Sequence, residues 1–252
     1  MATHNGKDKI DSAIESVFNQ TYDNWKMIIC DDGSTDGTYN YLKGKYKEKR
    51  IIILKNNEKK GLAYSLNKCI KECNDCEFIA RMDDDDFSYP NRFERQIDYL
   101  KNHSKISFVS SNIEIYNGQK IIGTKKLKEF PTKNDLIWNS PFVHPSIIFR
   151  RDDLIKSELY RVAPETTRGQ DYDLFMRMYS LGLFGANIQE FLFRYTDNNQ
   201  TRKKRTLKIR LGECKVRFVG YKKMGILLYA FPFVIKPLLS YLKDVFMLKR
   251  RL

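Results

Sequence analysis

Four consecutive carboxylates, Asp83, Asp84, Asp85 and Asp86, are the clearest chemical signal in the chain. Like charges packed this tightly repel one another, and a cation relieves the repulsion. The run lies between an apolar stretch at residues 77–82 and a helix opened by Pro90, so its geometry is held from both sides. Hard carboxylate oxygens in such a place suit Mg²⁺ or Mn²⁺, which keep several waters and bridge to substrate phosphates. A second acidic pair, Asp31 and Asp32, precedes Gly33, Ser34, Thr35 and Asp36, the composition of a tight turn that caps the next helix. A capped turn is one reading of that segment. The other is a pair of acceptors for the imide N–H of a uracil ring.

Both clusters need rigid supports, and the periodicity supplies them. Ile10, Ala13, Ile14, Val17 and Phe18 form a helical stripe. Residues 25–30 read as a buried strand ending at Asp31, and residues 38–46 as a polar helix. Next come a strand at 51–54, a helix at 61–73, a strand at 77–82, a helix after Pro90 and a strand at 105–110. Strand–helix alternation predicts a parallel sheet covered by helices on both faces. Ligands then bind beyond the carboxyl ends of the strands, which is where both acidic clusters fall. The alternation also calls for a strand ahead of the loop at residues 2–6, and Met1 reads as the last residue of such a strand. Beyond residue 110 the pattern shifts to short strands near 112–122, 145–149 and 189–195, with a helix at 171–181.

The 252 residues suffice for one large domain, or for a domain with a tail. A hydrophobic fraction of 42% with 13% aromatics excludes wholesale disorder. The formal charge of +14 suggests a polyanionic partner, yet it is unevenly placed. Residues 202–252 hold 15 basic and 2 acidic residues, or +13, whereas residues 1–201 hold 30 basic against 29 acidic. Five cysteines without an export signal predict free thiols in a reducing compartment. Cys69, Cys73 and Cys76 have C-x3-C-x2-C spacing, but Cys69 and Cys73 share an apolar helix face with Leu62, Leu66 and Ile70, which argues against an iron–sulfur cluster. The most apolar stretch, 225–235, is too short to span a bilayer.

Taken together, the segments resemble the inverting family-two glycosyltransferases of the GT-A fold. The matching segments are residues 2–5, residues 31–38, Gly61 with Asn67, Arg81 through the four aspartates to Pro90, Arg92 and Gln96, then His144-Pro145-Ser146, residues 170–174 and Arg194. They cover about residues 1–200 in order. The resemblance implies an α/β, Rossmann-like, mostly parallel sheet, with a nucleotide-binding half at about 1–110 and an acceptor half at about 111–201. It places Thr3, Asn5, Asp31, Asp32, Ser34, Arg81, Asp83 and Asp84 around the nucleotide and donor sugar. Asp85 goes to the metal, Mn²⁺ or Mg²⁺, and Asp171 to the catalytic base. His144, Gln170 and Arg194 fall on the acceptor side, His144 reading as a wall residue ahead of Pro145. Three features depart from the family pattern: no strand precedes residue 2, Gln170 replaces a common Glu, and Tyr195, Thr196 and Asp197 stand where a histidine is frequent.

The expected reaction transfers a sugar from a nucleotide-diphosphate sugar, a UDP-sugar first, to a hydroxyl of a lipid-linked glycan acceptor in capsule or other surface polysaccharide synthesis. Residues 202–252 interleave apolar and basic side chains and read as a basic amphipathic segment on an anionic membrane, at the cytoplasmic face of a bacterial plasma membrane. No nucleic-acid recognition fold accompanies the charge, so nucleic acid is not the expected partner. Two other readings remain: an inactive nucleotide-sugar-binding remnant, or a basic nucleic-acid-binding protein whose acidic turn serves a nuclease.

Overall fold

A computed structural model describes residues 1–197 and 206–249, with side chains to residue 242. The proposed boundary at 201/202, the basic run at 202–205 and the last three residues lie outside the described residues. The first unit is β1 (Ala2–Thr3), α1 (Ile10–Phe18), β2 (Met27–Asp31), α2 (Thr38–Lys45), β3 (Ile51–Lys55) and α3 (Leu62–Glu72). Ile10, Ala13, Ile14 and Val17 of α1 are buried at helical spacing, and all five residues of β2 are buried, as a strand covered on both faces requires. The strands pair in parallel in the order β1-β2-β3.

The chain continues through β4 (Phe78–Ala80), β5 (Phe87–Ser88), α4 (Arg92–Asn102), β6 (Ile106–Tyr116), β7 (Ile121–Lys125) and α5 (Asp135–Trp138). A short 3-10 segment, His144–Ser146, precedes β8 (Ile148–Arg150), α6 (Arg151–Lys156) and α7 (Gln170–Ser180), and β9 (Phe184–Thr196) comes after them. Here the single parallel sheet expected from the alternation gives way to two sheets. β4 joins a second sheet in the order β4-β8-β6-β9-β5, with β7 paired to β6. Within it β6 and β9 run parallel, while the β4–β8, β6–β8, β5–β9 and β6–β7 pairs are antiparallel. β1 is an edge of the first sheet. Its two residues pair with the end of β2 and do not bridge to β4, and a cavity of about 370 Å³ separates Met27 and Ile28 from Phe78, Ile79 and Ala80. Ala2 and Thr3, expected in a loop, therefore occupy a strand position, and the Met1 ammonium donates to the Ile28 carbonyl at 2.8 Å.

Among the described residues two large apolar cores result, beside a small cluster of Ile28, Cys30 and Cys69. One joins α1, β2 and β3 to α4 and β9, and the other is built on Phe108, Phe149 and Phe175. The latter also takes in Val216, Tyr221, Met224, Ile226, Ala230 and Val234, contributed by α8 (Leu207–Lys223), α9 (Leu227–Ala230) and the turns at their C-terminal ends. One face of the expected tail is thus core, and α10 (Lys236–Lys249) packs against α8. Among the described residues no helix is long and apolar enough to cross a membrane. Cys30, Cys69 and Cys214 are free, but Cys73 and Cys76 are bonded to each other, so the expectation of free thiols fails for that pair.

Candidate active site

The carboxyl ends of β1 and β2 are stitched together before any ligand is considered. Asn5 adopts a left-handed backbone (φ 54°), with its N–H donating to Ser34 Oγ at 2.9 Å and its Oδ1 accepting from the Thr35 N–H at 2.9 Å. The Gly6 N–H donates to Thr38 Oγ1 at 3.0 Å. A Cβ on Gly6 would lie 2.2 Å from Thr3 Oγ1 and 2.7 Å from Asp84 Oδ2, so only glycine lets this loop approach the acidic turn. Gly33 has φ +68° and passes within 2.5 Å, measured from an added Cβ, of the Glu58 backbone.

The acidic pair at the end of β2 divides its labour. Asp32, 4% exposed, accepts from Asn56 Nδ2 at 2.9 Å and from the backbone N–H groups of Lys60 and Gly61 at 2.8 Å each. Burial works to raise its carboxyl, but these donors prevail and hold it below the usual carboxylate range. It clamps the loop between β3 and α3. Asp31 is fully buried: one oxygen accepts from the Ser34 N–H at 3.2 Å, and the other, Oδ1, is buried without a hydrogen-bond partner.

The acidic turn hangs on arginines. Arg92, fully buried in the first turn of α4, donates to the Arg81 carbonyl at 2.8 Å and to the Pro145 and Ile147 carbonyls at 3.4 Å. Arg81 in turn pairs with Asp83. Asp84 Oδ2 accepts from Thr3 Oγ1 at 2.6 Å, and Lys9 Nζ lies 2.8 Å from its Oδ1 and 3.5 Å from Asp85 Oδ2. Burial first, then the neighbouring aspartates, push Asp85 upward. Asp86 is raised well above the carboxylate range for the same reasons, with Oδ1 accepting from the Thr196 N–H at 2.7 Å and Oδ2 buried without a partner.

Across from this turn, α7 presents Asp171 in its first turn, next to Gln170. Burial raises the Asp171 carboxyl, and Arg81 and Asp83 both lie within electrostatic reach of it. Tyr160 lies within electrostatic reach of Arg81, Asp171 and Asp83, and its hydroxyl is 2.7 Å from His144 Nε2. Burial lowers His144 to about 3, so the imidazole is neutral. Glu158 and Leu159, just before Tyr160, have left-handed backbones (φ 61° and 55°). That bend is held by Asn67, which bonds both backbone groups of Tyr160, and by Arg177, which donates to the Leu159 carbonyl at 2.7 Å.

The structure thus brings Thr3, Asn5, Asp31, Asp32, Ser34, Arg81, Asp83, Asp84, Asp85, His144, Gln170 and Asp171 to the carboxyl-end face. Arg194 differs. Its guanidinium is stacked between Phe87 and Tyr116, 4.5 Å from each ring centroid, which makes it a brace for β5 and β9. Lys9 and Tyr160 are functional candidates that the sequence alone does not reveal. Lys9 is one lysine among many, and Tyr160 carries no motif. Among the described residues no three His, Cys, Asp or Glu side chains converge to hold a metal. One or two carboxylates completed by substrate phosphates is the arrangement by which Mg²⁺ is usually held in nucleotide sites, and the hard-oxygen donors of Asp84 and Asp85 fit it.

Comparison with known proteins agrees with this geometry. The family model described as glycosyl transferase family 2 matches residues 1–158. EpsE of Bacillus subtilis (strain 168), described as a glycosyltransferase, is 30% identical over 241 residues, 95% of this chain and 86% of that protein. The Escherichia coli UDP-Glc:alpha-D-GlcNAc-diphosphoundecaprenol beta-1,3-glucosyltransferase WfgD is 37% identical over 140 residues, covering 55% of this chain and 54% of the enzyme. S. aureus TarS 1-349 in complex with UDP-GlcNAc superposes with a TM-score of 0.71 at 13% identity, over 91% of this chain and 70% of that one. The mannosyltransferase PcManGT from Pyrobaculum calidifontis, in complex with GDP-Man and Mn²⁺, gives 0.61 at 15% identity, over 95% and 72%. These two likenesses establish the fold, the α/β GT-A arrangement. With more than half its length matched by the family model, this chain is a member of glycosyl transferase family 2.

Proposed function

We propose that this glycosyltransferase moves a sugar from a UDP-sugar to a hydroxyl of a lipid-linked glycan acceptor in bacterial surface polysaccharide synthesis, with inversion at the anomeric carbon. The observation that carries the reading is the juxtaposition of Asp171, a desolvated carboxylate at a helix start, with the Arg81–Asp83 pair of the acidic turn. An acceptor hydroxyl is a weak nucleophile at neutral pH. Asp171 takes its proton as the oxygen attacks, and a base so placed contributes roughly 10²- to 10⁴-fold. Its raised carboxyl brings its basicity closer to neutral, which strengthens that role. A single base with direct displacement inverts the centre.

On the donor side, Asp31 Oδ1 is the buried acceptor left for a base N–H, since Asp32 is consumed by its loop. Asp83, oriented by Arg81, serves the ribose or donor sugar. Asp85 and Asp84 would hold Mn²⁺ or Mg²⁺, which supplies charge neutralisation to the departing diphosphate. WfgD's name supports a UDP-sugar and a diphospholipid acceptor, TarS supports a UDP-sugar, and PcManGT supports Mn²⁺.

The same reading sets the protein at the cytoplasmic face of the membrane. Leu228 is 97% exposed, with Tyr229, Phe231 and Ile235 exposed near it, and Lys222 and Lys223 are exposed at the end of α8. Apolar tips beside a lysine rim suit an in-plane contact with anionic lipid, each basic residue adding about 1 kcal/mol near such a surface. The decisive experiment is transfer by Asp171→Asn with UDP binding measured in parallel. Transfer should fall at least 10²-fold with UDP affinity retained, and undiminished transfer removes Asp171 from the base role.

A further inference from the structure

Within the acidic turn Asp83 pairs with Arg81, Asp86 Oδ1 accepts from the Thr196 N–H at 2.7 Å, and Asp84 Oδ2 accepts from the Thr3 hydroxyl at 2.6 Å. What draws Asp84 and Asp85 together is an ammonium. Lys9 Nζ lies 2.8 Å from Asp84 Oδ1 and 3.5 Å from Asp85 Oδ2. Its root is fixed, because the backbone N–H groups of Lys9 and Ile10 both bond the Gly6 carbonyl, at 3.1 and 3.0 Å. Its stem is not: the Lys9 side chain is 42% exposed, against 10% for Asp84 and 24% for Asp85. The ammonium therefore enters the turn from the solvent side, on a flexible four-carbon arm that can leave the same way.

We infer that Lys9 is a built-in competitor of the divalent cation, holding Asp84 and Asp85 in the cation-free enzyme and leaving the turn when a cation binds at Asp85. Two cationic groups cannot share oxygens a few ångströms apart without strong repulsion, so occupancy by one excludes the other. The ammonium also keeps the turn in shape before the cation arrives, which spares its carboxylates splaying apart under their own repulsion. The inference rests on Asp85 being the cation ligand.

The test measures Mn²⁺ binding to the full chain without nucleotide, following the free-ion signal by electron paramagnetic resonance. Lys9→Met keeps the stem and removes the charge, and it should tighten Mn²⁺ binding about three- to tenfold, the range set by removing one or two partly exposed ion pairs. Lys9→Arg keeps the charge and should stay within about twofold of the wild type. Lys9→Gln can still donate to Asp84, and it serves as the neutral variant if Lys9→Met does not fold. Equal or weaker Mn²⁺ binding by the folded neutral variants overturns the competition. Undiminished Mn²⁺ binding by Asp85→Ala overturns instead the assignment of Asp85 on which it rests.

Discussion

Replacing Asp32 by alanine should unfold this enzyme more readily without touching any reacting group. The carboxylate receives three hydrogen bonds, from Asn56 Nδ2 and from the backbone N–H groups of Lys60 and Gly61, all between 2.8 and 2.9 Å. A buried donor left without its partner costs about 1–3 kcal/mol. Lys60 is exposed and Gly61 half-buried, so water recovers some of that loss, and the expected total is about 3–4 kcal/mol. For a chain of this size that corresponds to a fall in Tm of roughly 6–15 °C. The measurement is thermal and urea unfolding by circular dichroism, with UDP titrated into the folded variant. The same side chain also predicts an acid limb. Its folded carboxyl is held low, so its contribution is full above the unfolded value near about 3.9 and is lost as pH falls through the folded one. Asp32→Ala should lack that part of the acid destabilisation. A variant within about 1 kcal/mol of the wild type at neutral pH would refute the clamp, and Asp32 would again be a candidate for binding the base.

Asp31→Ala should do the reverse, weakening UDP at least fivefold in isothermal titration while lowering Tm by less than Asp32→Ala does; equal UDP affinity would sink its assignment. Asp86→Asn should hold or raise Tm at neutral pH. Its carboxyl is raised by burial, so its contribution favours the fold at low pH and is lost as pH rises through the folded value, a loss the amide avoids; a fall of more than about 2 kcal/mol contradicts this. The acid limb of the transfer rate should sit above the usual aspartate range, because Asp171 must be ionised to act and burial raises it. A limb at or below that range excludes Asp171 as its source. Leu228→Asp with Phe231→Asp should cut binding to anionic vesicles at least tenfold at unchanged Tm, since each large apolar side chain contributes about 1.5–3 kcal/mol on burial; unchanged sedimentation with vesicles argues against this face.

The sequence was most legible where a local pattern decides the structure. The stripe of α1, the buried run of β2 and the turn built on Gly33 follow from spacing and residue type, and so does the position of both acidic clusters past strand ends. Partnerships across the fold were not legible. Nothing in the sequence separates Asp31 from Asp32; the difference is made by Asn56, Lys60 and Gly61, 24 to 29 residues away. Arg194 matched a motif, yet its guanidinium is taken up between two rings. The sheet order was not legible for a related reason. Alternation reports which segments are strands and cannot report that β4 pairs with β8 and not with β1.

Charge shows the same limit from another side. The +13 counted over residues 202–252 reads as the charge of a basic amphipathic segment, but a count treats every basic residue as equally available. Arg210 is 7% exposed and pairs with Glu213 at 3.2 Å. Arg217, also 7% exposed, donates to the Ile137 carbonyl and the Tyr221 hydroxyl at 2.9 and 2.6 Å. Lys215 reaches Glu165 at 2.9 Å. Arg217 fastens α8 to α5, Arg210 ties it toward Ser240 of α10, and Lys215 links it to Glu165 in the segment that leads into α7. Part of the tail's charge is thus taken up inside the fold, and among the described residues Lys208 is exposed, as are Lys222 and Lys223 beside Leu228, the rim that faces a lipid surface. Salt should accordingly weaken vesicle binding, which depends on that screened rim, far more than it weakens the fold, whose arginines are buried.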